Sequence, residues 1–403
     1  MPFADVLHQR PAQDRLQRTL LADRVPHAYL FAGPDGVGKE MLARQLAAVL
    51  LCESPRGAPA PTDAGGTTPS WIDACGQCAD CVLQAAGNHP DFHHIYRSLN
   101  KLHPDSEIRK RKAVELSVGL IRHFLIEKAG LHPSRGRAKV FIISEAHLLS
   151  DQAQNALLKT LEEPPERSYL ILLTDSLDLL LPTTRSRCQH VAFRRLPSSF
   201  IIEQLVTSQG AAPAAARFLA EFSQGSLGAA ARGLQVGLFD FLPRVTEAIL
   251  NAGADPLGCG KRILEVAGAL IPALTGRREV EATDEPAEDE PPVEDADAKD
   301  DAGEGASTNI LRDARKIALT LAGAVLRDVQ RVIVGCAPAA LPDHPAIGAL
   351  ARTTTTDAVG RAIRALASAE YQIDSSINIS LIFDTVGIEL GRAFAGRASA
   401  ARR

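Results

Sequence analysis

The sequence predicts an α/β protein with a mostly parallel sheet in its first half and helices only in its second. Three observations carry that prediction. A short apolar strand runs directly into a glycine-rich turn and an apolar-striped helix at residues 27–51. Two further apolar strands, Lys139 to Ile143 and Ser168 to Thr174, flank a helical pattern over Asp151 to Glu162. Strands alternating with helices imply parallel pairing, and from Pro197 onward the periodicity is helical throughout.

The chain has 403 residues, 45% hydrophobic and 23% charged, the composition of a globular protein and long enough for two or three domains. Only 4% is aromatic, so the cores must be aliphatic, and a base-stacking surface is not expected. The N-terminus MPFADVLHQR carries no charged n-region followed by an apolar one, and the greasiest run, 169–181, is broken by Asp175 and Asp178. A cytoplasmic protein without a membrane partner is the expectation. Between Glu279 and Glu304 thirteen acidic residues face one lysine, which leaves +8 on the rest of a chain whose total is −4. A mildly basic body with an acidic insert is compatible with a nucleic-acid partner.

In the first strand, His27 to Ala32, every residue from Ala28 on is apolar, and Gly33 to Gly38 forms the turn. Glu40 to Leu51 follows as a helix with Leu42, Leu46 and Val49 on one face. Gly33-Pro34-Asp35-Gly36-Val37-Gly38-Lys39 fits G-x-x-x-x-G-K, in which backbone N–H groups and the lysine cradle phosphates at a helix start; a ligand-free glycine turn is the alternative. The next position should hold the hydroxyl that coordinates magnesium, and Glu40 stands there instead. A carboxylate about 4 Å from a phosphate oxygen repels it by up to about 4 kcal/mol at an effective dielectric near 20. The second magnesium element reads Val140-Phe141-Ile142-Ile143-Ser144-Glu145, with Ser144 where an aspartate belongs. Glu145 remains, as a water-polarising base or a helix-start residue. Both substitutions strike magnesium, so hydrolysis of ATP by this chain is not expected.

Residues 53–74 have the Pro/Gly/Ala/Thr composition of a flexible loop. Beyond them Cys75, Cys78 and Cys81 supply three closely spaced thiolates, and Cys52, across the loop, is the best fourth ligand for a structural zinc ion; His89 and His93 are substitutes. The basic run Arg109-Lys110-Arg111-Lys112 is a solvated loop or a phosphate-backbone contact. Thr184-Arg185-Ser186-Arg187-Cys188 precedes a strand at Gln189 to Phe193. Arg187 there serves either a surface salt bridge or a neighbour's nucleotide site. Residues 276–307 carry too little apolar content to fold. The stripe Ile317, Leu321, Val325, Val329 and Val332, then a helix with Ile379, Ile382, Phe383, Val386 and Leu390, close the chain.

These elements in this order resemble the AAA+ clamp-loader subunits of bacterial DNA polymerase III, the delta-prime type above all. The resemblance rests on HAYLF at 27–31, the cysteine module running into AGNHPD at 86–91, NALLKTLEEPP at 155–165 and Ser186-Arg187-Cys188, and covers roughly residues 5–235. The C-terminal Ile377-Asn378-Ile379 with its helix matches more weakly. The resemblance implies an AAA+ core over 1–196 with a zinc module at 52–81, a helical lid at 197–275 and a helical collar at 308–403; the acidic insert at 276–307, read as disordered from its composition, departs from the family. It implies a degenerate nucleotide site at Gly33, Gly36, Gly38, Lys39 and Glu145, with ATP and magnesium doubtful on this chain. It makes Arg187 an arginine finger acting in trans, and Cys52, Cys75, Cys78 and Cys81 the zinc ligands. It puts Gly225-Ser226-Leu227-Gly228 at the second-sensor motif, where the ATPase subunits carry arginine in place of Gly228. The expected partners are the gamma/tau and delta subunits, the sliding clamp and primed DNA. The chain would be a non-hydrolysing component of the polymerase III holoenzyme, a nucleotidyltransferase complex active in DNA replication. The alternatives are a gamma/tau-like ATPase motor and a zinc-bearing DNA-binding module outside the replisome.

Overall fold

The computed structural model of the chain describes residues 2–59, 70–110, 115–135, 137–283, 301–341, 344–374 and 378–395. They divide into two compact units, Met1–Pro197 and Ser198–Arg403.

The first unit is built on five parallel strands in the order β4-β5-β6-β1-β7. The strands are β1 (Ala28–Ala32), β4 (Phe92–Ile95), β5 (Lys139–Ile143), β6 (Ser168–Thr174) and β7 (Gln189–Ala192). Strands β1 and β5 are buried along their whole length, as a sheet covered on both faces requires. Helices α1 (Arg10–Leu21) and α2 (Lys39–Leu51) come early in the chain, and α2 packs across β5 and β6. Helices α4 (Ser106–Arg109), α5 (Val118–Ile121) and α6 (Glu127–Ala129) lie between β4 and β5, and α5 runs into α6 through a π-helical stretch, Arg122–Ile126. The amphipathic α7 (Asp151–Glu162) starts at Ser150, whose hydroxyl accepts the Ala153 N–H at 3.2 Å. It buries Leu157 and Leu161 in the core that holds Leu30, Phe141 and Leu170, each leucine contributing about 2 kcal/mol.

Two elements differ from the sequence-based expectation. Strand β4 was not anticipated: it carries two histidines among four residues and pairs with β5 alone, so it lacks the apolar run of the central strands. The stretch 53–74, expected to be loop, contains an antiparallel hairpin, β2 (Arg56–Pro59) with β3 (Ser70–Asp73), while residues 60–69 lie outside the described set. Distant contacts impose this order. Trp71 is buried edge-on to Phe3, with the Arg10 guanidinium 4.6 Å above its ring. Gln17 grips Ile72 through both backbone groups at 2.7 and 2.9 Å, and the Asp73 carboxylate accepts the Phe3 N–H at 3.0 Å. Helix α3 (Ala79–Ala85) follows, and α8 (Pro182–Ser186) precedes β7.

The second unit is helical: α9 (Ser198–Gln209), α10 (Pro213–Phe222), α11 (Leu227–Gln235), α12 (Leu242–Leu250), α13 (Pro256–Thr283), α14 (Asp301–Ile333), α15 (Pro345–Thr353), α16 (Thr356–Gln372) and α17 (Ile379–Phe394). Helices α13 and α17 cross backbone to backbone: a Cβ on Gly387 would lie 2.1 Å from the Pro256 carbonyl oxygen, so only glycine fits. Buried Asp328 ties down the turn after α14 by accepting the N–H groups of Ala339, Ala340 and Leu341 at 2.9, 3.3 and 2.6 Å. Within the acidic insert expected over 276–307, α13 continues to Thr283 and α14 begins at Asp301. Alanine and glutamate at both edges favour helix even where they cannot build a core. Residues 284–300 lie outside the described set. Among the described residues no helix is long and apolar enough to cross a membrane.

Candidate nucleotide and metal sites

Strand β1 delivers the chain to Gly33, whose N–H bonds the Thr174 carbonyl at 3.2 Å. A Cβ at Gly33 would meet the Phe193 carbonyl oxygen at 2.6 Å, so the loop can pass here only as glycine. Gly36 and Gly38 take positive φ, 65° and 98°, and α2 begins at Lys39. Gln9 braces the turn from α1's start, donating to the Val37 carbonyl at 3.2 Å while its amide pairs with Arg194 at 2.7 and 3.0 Å.

The loop has the phosphate-loop shape, but its functional groups are engaged within the chain. Lys39 is buried, and its Nζ donates to the Gly33 and Pro34 carbonyls at 2.7 and 2.6 Å. Burial lowers its pKa, against the pull of Asp35 and Asp175. Glu40 pairs with Arg44 at 2.8 Å. The Arg44 guanidinium also donates to His94 Nδ1 at 3.2 Å, which puts the ring proton on Nε2, and Nε2 donates to Ser144 Oγ at 2.8 Å. Burial holds the His94 pKa down at about 4, so the ring is neutral at pH 7. His94 therefore connects Glu40 and Ser144, the two positions where the sequence lacks its magnesium ligands, and Nε2 lies 3.8 Å from Glu40. Glu145 has a left-handed backbone (φ 52°) before a short 3-10 turn, Ala146–Leu148. Arg97, at the end of β4, takes both its carboxylate oxygens at 2.7 Å each. A bidentate guanidinium takes one lone pair of each oxygen and neutralises the negative charge that a water-polarising base would use.

Arg187 sits just past α8 on a partly exposed edge. Its guanidinium pairs with Glu162 at the end of α7 and donates to the Thr183 carbonyl at 2.9 Å. The start of α8 is placed by fully buried Gln154, whose carbonyl accepts the Leu181 N–H at 2.8 Å and whose amide reaches the Leu149 and Leu179 carbonyls at 3.1 and 3.4 Å. In the second unit Ser226 caps α11, accepting the Ala229 N–H at 3.0 Å, with Gly228 in the first turn.

The four cysteines converge. The Sγ atoms of Cys52, Cys75, Cys78 and Cys81 all lie within 4.8 Å of one another, with Cys52–Cys78 and Cys75–Cys81 both at 3.9 Å. A tetrahedral zinc with Zn–S bonds of about 2.3 Å has S–S edges of about 3.8 Å, so the donor set fits that ion. Backbone N–H groups of Cys75, Cys78 and Cys81 point at the preceding ligands' sulfurs at 3.3 to 3.4 Å. The N–H groups of Gln77 and Cys78 bring the Cys75 thiol down to about 6, whereas burial pushes Cys52 and Cys81 up. A bound cation would compensate those last two. His89 and His93 lie elsewhere: His89 is 3.3 Å from buried Asp80, and His93 stacks on Phe141. Asp80 also pairs with Arg135, and the Asp91 carboxylate accepts the N–H groups of Ser134 and Arg135 at 2.7 and 2.9 Å, so α3 is locked to the segment before β5.

Of the basic run, Arg109 and Lys110 are both exposed, Arg109 donating to the His103 and Pro104 carbonyls at 3.0 and 3.1 Å, and residues 111–112 lie outside the described set. Sequence reasoning missed Arg97, His94, Glu162, Gln154 and the Asp80–Arg135 pair. Each acts through a partner at least 25 residues away; the local signals were the place of Asp80 beside Cys81 and of Glu162 within the 155–165 string.

Residues 8–197 match the family model described as DNA polymerase III, delta subunit. The delta' subunit of Escherichia coli is 34% identical over 225 residues, 55% of this chain and 58% of that one. The delta' subunit of Pseudomonas aeruginosa is 39% identical over 166 residues, 41% of this chain and 42% of that one. The tau subunit of Bacillus subtilis is 33% identical over 274 residues, 68% of this chain and 40% of that one. This chain thus spans less than two thirds of the length of each. Residues 8–197, with their five-stranded parallel sheet, glycine-rich turn and four-cysteine cluster, are similar to the clamp-loader subunits of bacterial DNA polymerase III.

Proposed function

We propose that this chain is a non-hydrolysing, delta'-like subunit of the polymerase III clamp loader, which helps seat the sliding clamp on primed DNA. One observation carries the reading: the charged side chains that a working magnesium–nucleotide site would use are bonded within the chain. Lys39 is held by Gly33 and Pro34, Glu145 by Arg97, and the two magnesium positions are occupied by Glu40 and Ser144, joined through His94. In this reading ATP turns over on neighbouring gamma/tau subunits. Arg187, on a partly exposed edge, neutralises phosphoryl charge there in trans. Residues 308–403 form the collar that joins the ring with gamma/tau and delta, residues 197–275 form the lid, and a zinc ion on the four cysteines fixes the module at 52–81.

The test is a ring reconstituted from purified gamma/tau, delta and this chain, with clamp-stimulated ATP turnover measured for wild type and Arg187→Ala. Arginine fingers supply about 10³-fold or more in rate, so turnover per site paired with this chain should collapse while the ring stays assembled. Equal turnover by both variants removes the trans-acting arginine. The motor reading draws on the complete G-x-x-x-x-G-K string and the resemblance to tau. Magnesium-dependent hydrolysis by the isolated chain, abolished by Lys39→Ala, would establish it instead.

A further inference from the structure

Glu162 is the last residue of α7, where the helix's own carbonyls concentrate negative charge, so a carboxylate there needs a facing cation. Arg187 is that cation, brought in by the turn at the end of α8. One terminal nitrogen of its guanidinium meets Glu162, and the other donates to the Thr183 carbonyl at 2.9 Å and reaches Ser186 Oγ at 3.5 Å. The side chains of Arg187 and Glu162 are 33% and 49% exposed. An incoming anion can therefore reach the pair, which is weak enough to exchange partners. A phosphate oxygen and a carboxylate oxygen compete for the same guanidinium N–H groups.

We propose that Glu162 is a positioning residue for Arg187: its carboxylate holds the guanidinium folded against α8 and yields it, by exchange of one anion for another, to the nucleotide phosphate of the adjoining subunit. This inference rests on the trans-arginine reading above. The Glu162 tether sets how readily the neighbour's site recruits the arginine, and so acts on the apparent affinity for ATP more than on the maximal rate.

The experiment uses the reconstituted ring with five versions of this chain: wild type, Glu162→Gln, Glu162→Asp, Arg187→Ala and the Glu162→Gln/Arg187→Ala double variant. Assembly is checked by gel filtration, and turnover is followed across ATP concentration. Glu162→Gln, which keeps shape and removes charge, should raise kcat/KM about 2- to 5-fold, mainly through a lower KM, as expected for loss of an exposed ion pair. Glu162→Asp, which restores a carboxylate one methylene shorter, should move KM back toward wild type. In the Arg187→Ala background Glu162→Gln should change nothing. A fall or no change in kcat/KM with Glu162→Gln, or the same rise without Arg187, overturns the tether while leaving the finger intact. Wild-type turnover by Arg187→Ala removes the finger itself, and the tether with it, a pattern distinct from the others.

Discussion

Two constellations lie in the first unit, and they treat their polar groups in opposite ways. At the four-cysteine cluster the sulfurs turn toward one point, and the surrounding backbone N–H groups support them. At the phosphate loop the lysine, the glutamate and both magnesium positions turn toward partners of the same chain. The first is a donor set whose four sulfurs fit one tetrahedral cation. The second keeps the backbone shape of a binding site whose electrostatic demands are met internally. A motif therefore reports the path of the backbone, whereas function depends on whether its charged groups have unmet partners.

The largest effect should come from breaking the four-cysteine site. Cys78→Ser removes one of four thiolates, and the metal content of the purified chain should fall from about one zinc per molecule to near zero, read by atomic emission. Structural zinc can supply on the order of 10 kcal/mol of apparent folding free energy, so loosening of the 52–81 module should accompany it, read by limited proteolysis. Full zinc retention in the variant would show that three cysteines suffice.

A smaller effect should come from acidifying the closed site. Burial lowers the His94 pKa from 6.5 to about 4, so between those values the unfolded chain binds a proton that the folded chain refuses. The stabilisation from neutral His94 is complete above pH 6.5 and is lost as the pH falls toward 4, about 3 kcal/mol in all. His93, also lowered to about 4 by burial, acts in the same direction. Denaturant titrations at pH 7 and pH 5 should show the fall, and His94→Gln should shrink it. An unchanged difference in that variant would place the sensitivity elsewhere.

The smallest and most telling effect should come from reopening the closed site. The triple variant Glu40→Thr, Ser144→Asp, Arg97→Ala restores both magnesium ligands and frees Glu145. It should gain about tenfold or more in magnesium–ATP affinity, read with a fluorescent nucleotide, because it removes a carboxylate facing phosphate. No gain would mean that the bonds between Lys39 and the loop carbonyls hold the site shut by themselves.

The central strands, the helices that follow them and the glycine loop were legible because each is a local pattern: β5, α7 and β6 lie where their apolar periodicity put them. The hairpin β2–β3 was not, since its order comes from Phe3, Arg10 and Gln17, more than 50 residues from Trp71 and Ile72. Strand β4 was hidden by His93 and His94, whose burial depends on Phe141, Arg44 and Ser144.

For the site the division is similar. That Glu40 follows G-x-x-x-x-G-K and Ser144 precedes Glu145 is a matter of residue identity, and the sequence by itself determined it, along with the spacing of Cys75, Cys78 and Cys81. Tertiary structure brings Cys52, which the sequence already offered as fourth ligand, to the thiol cluster across the hairpin, and it alone decided that Arg97 pairs with Glu145 and that Glu162 holds Arg187. The physical reason is range. Backbone propensity and loop shape act over a few residues, but a charged side chain is satisfied by whatever the fold brings within about 3 Å, and sequence separation carries no information about that.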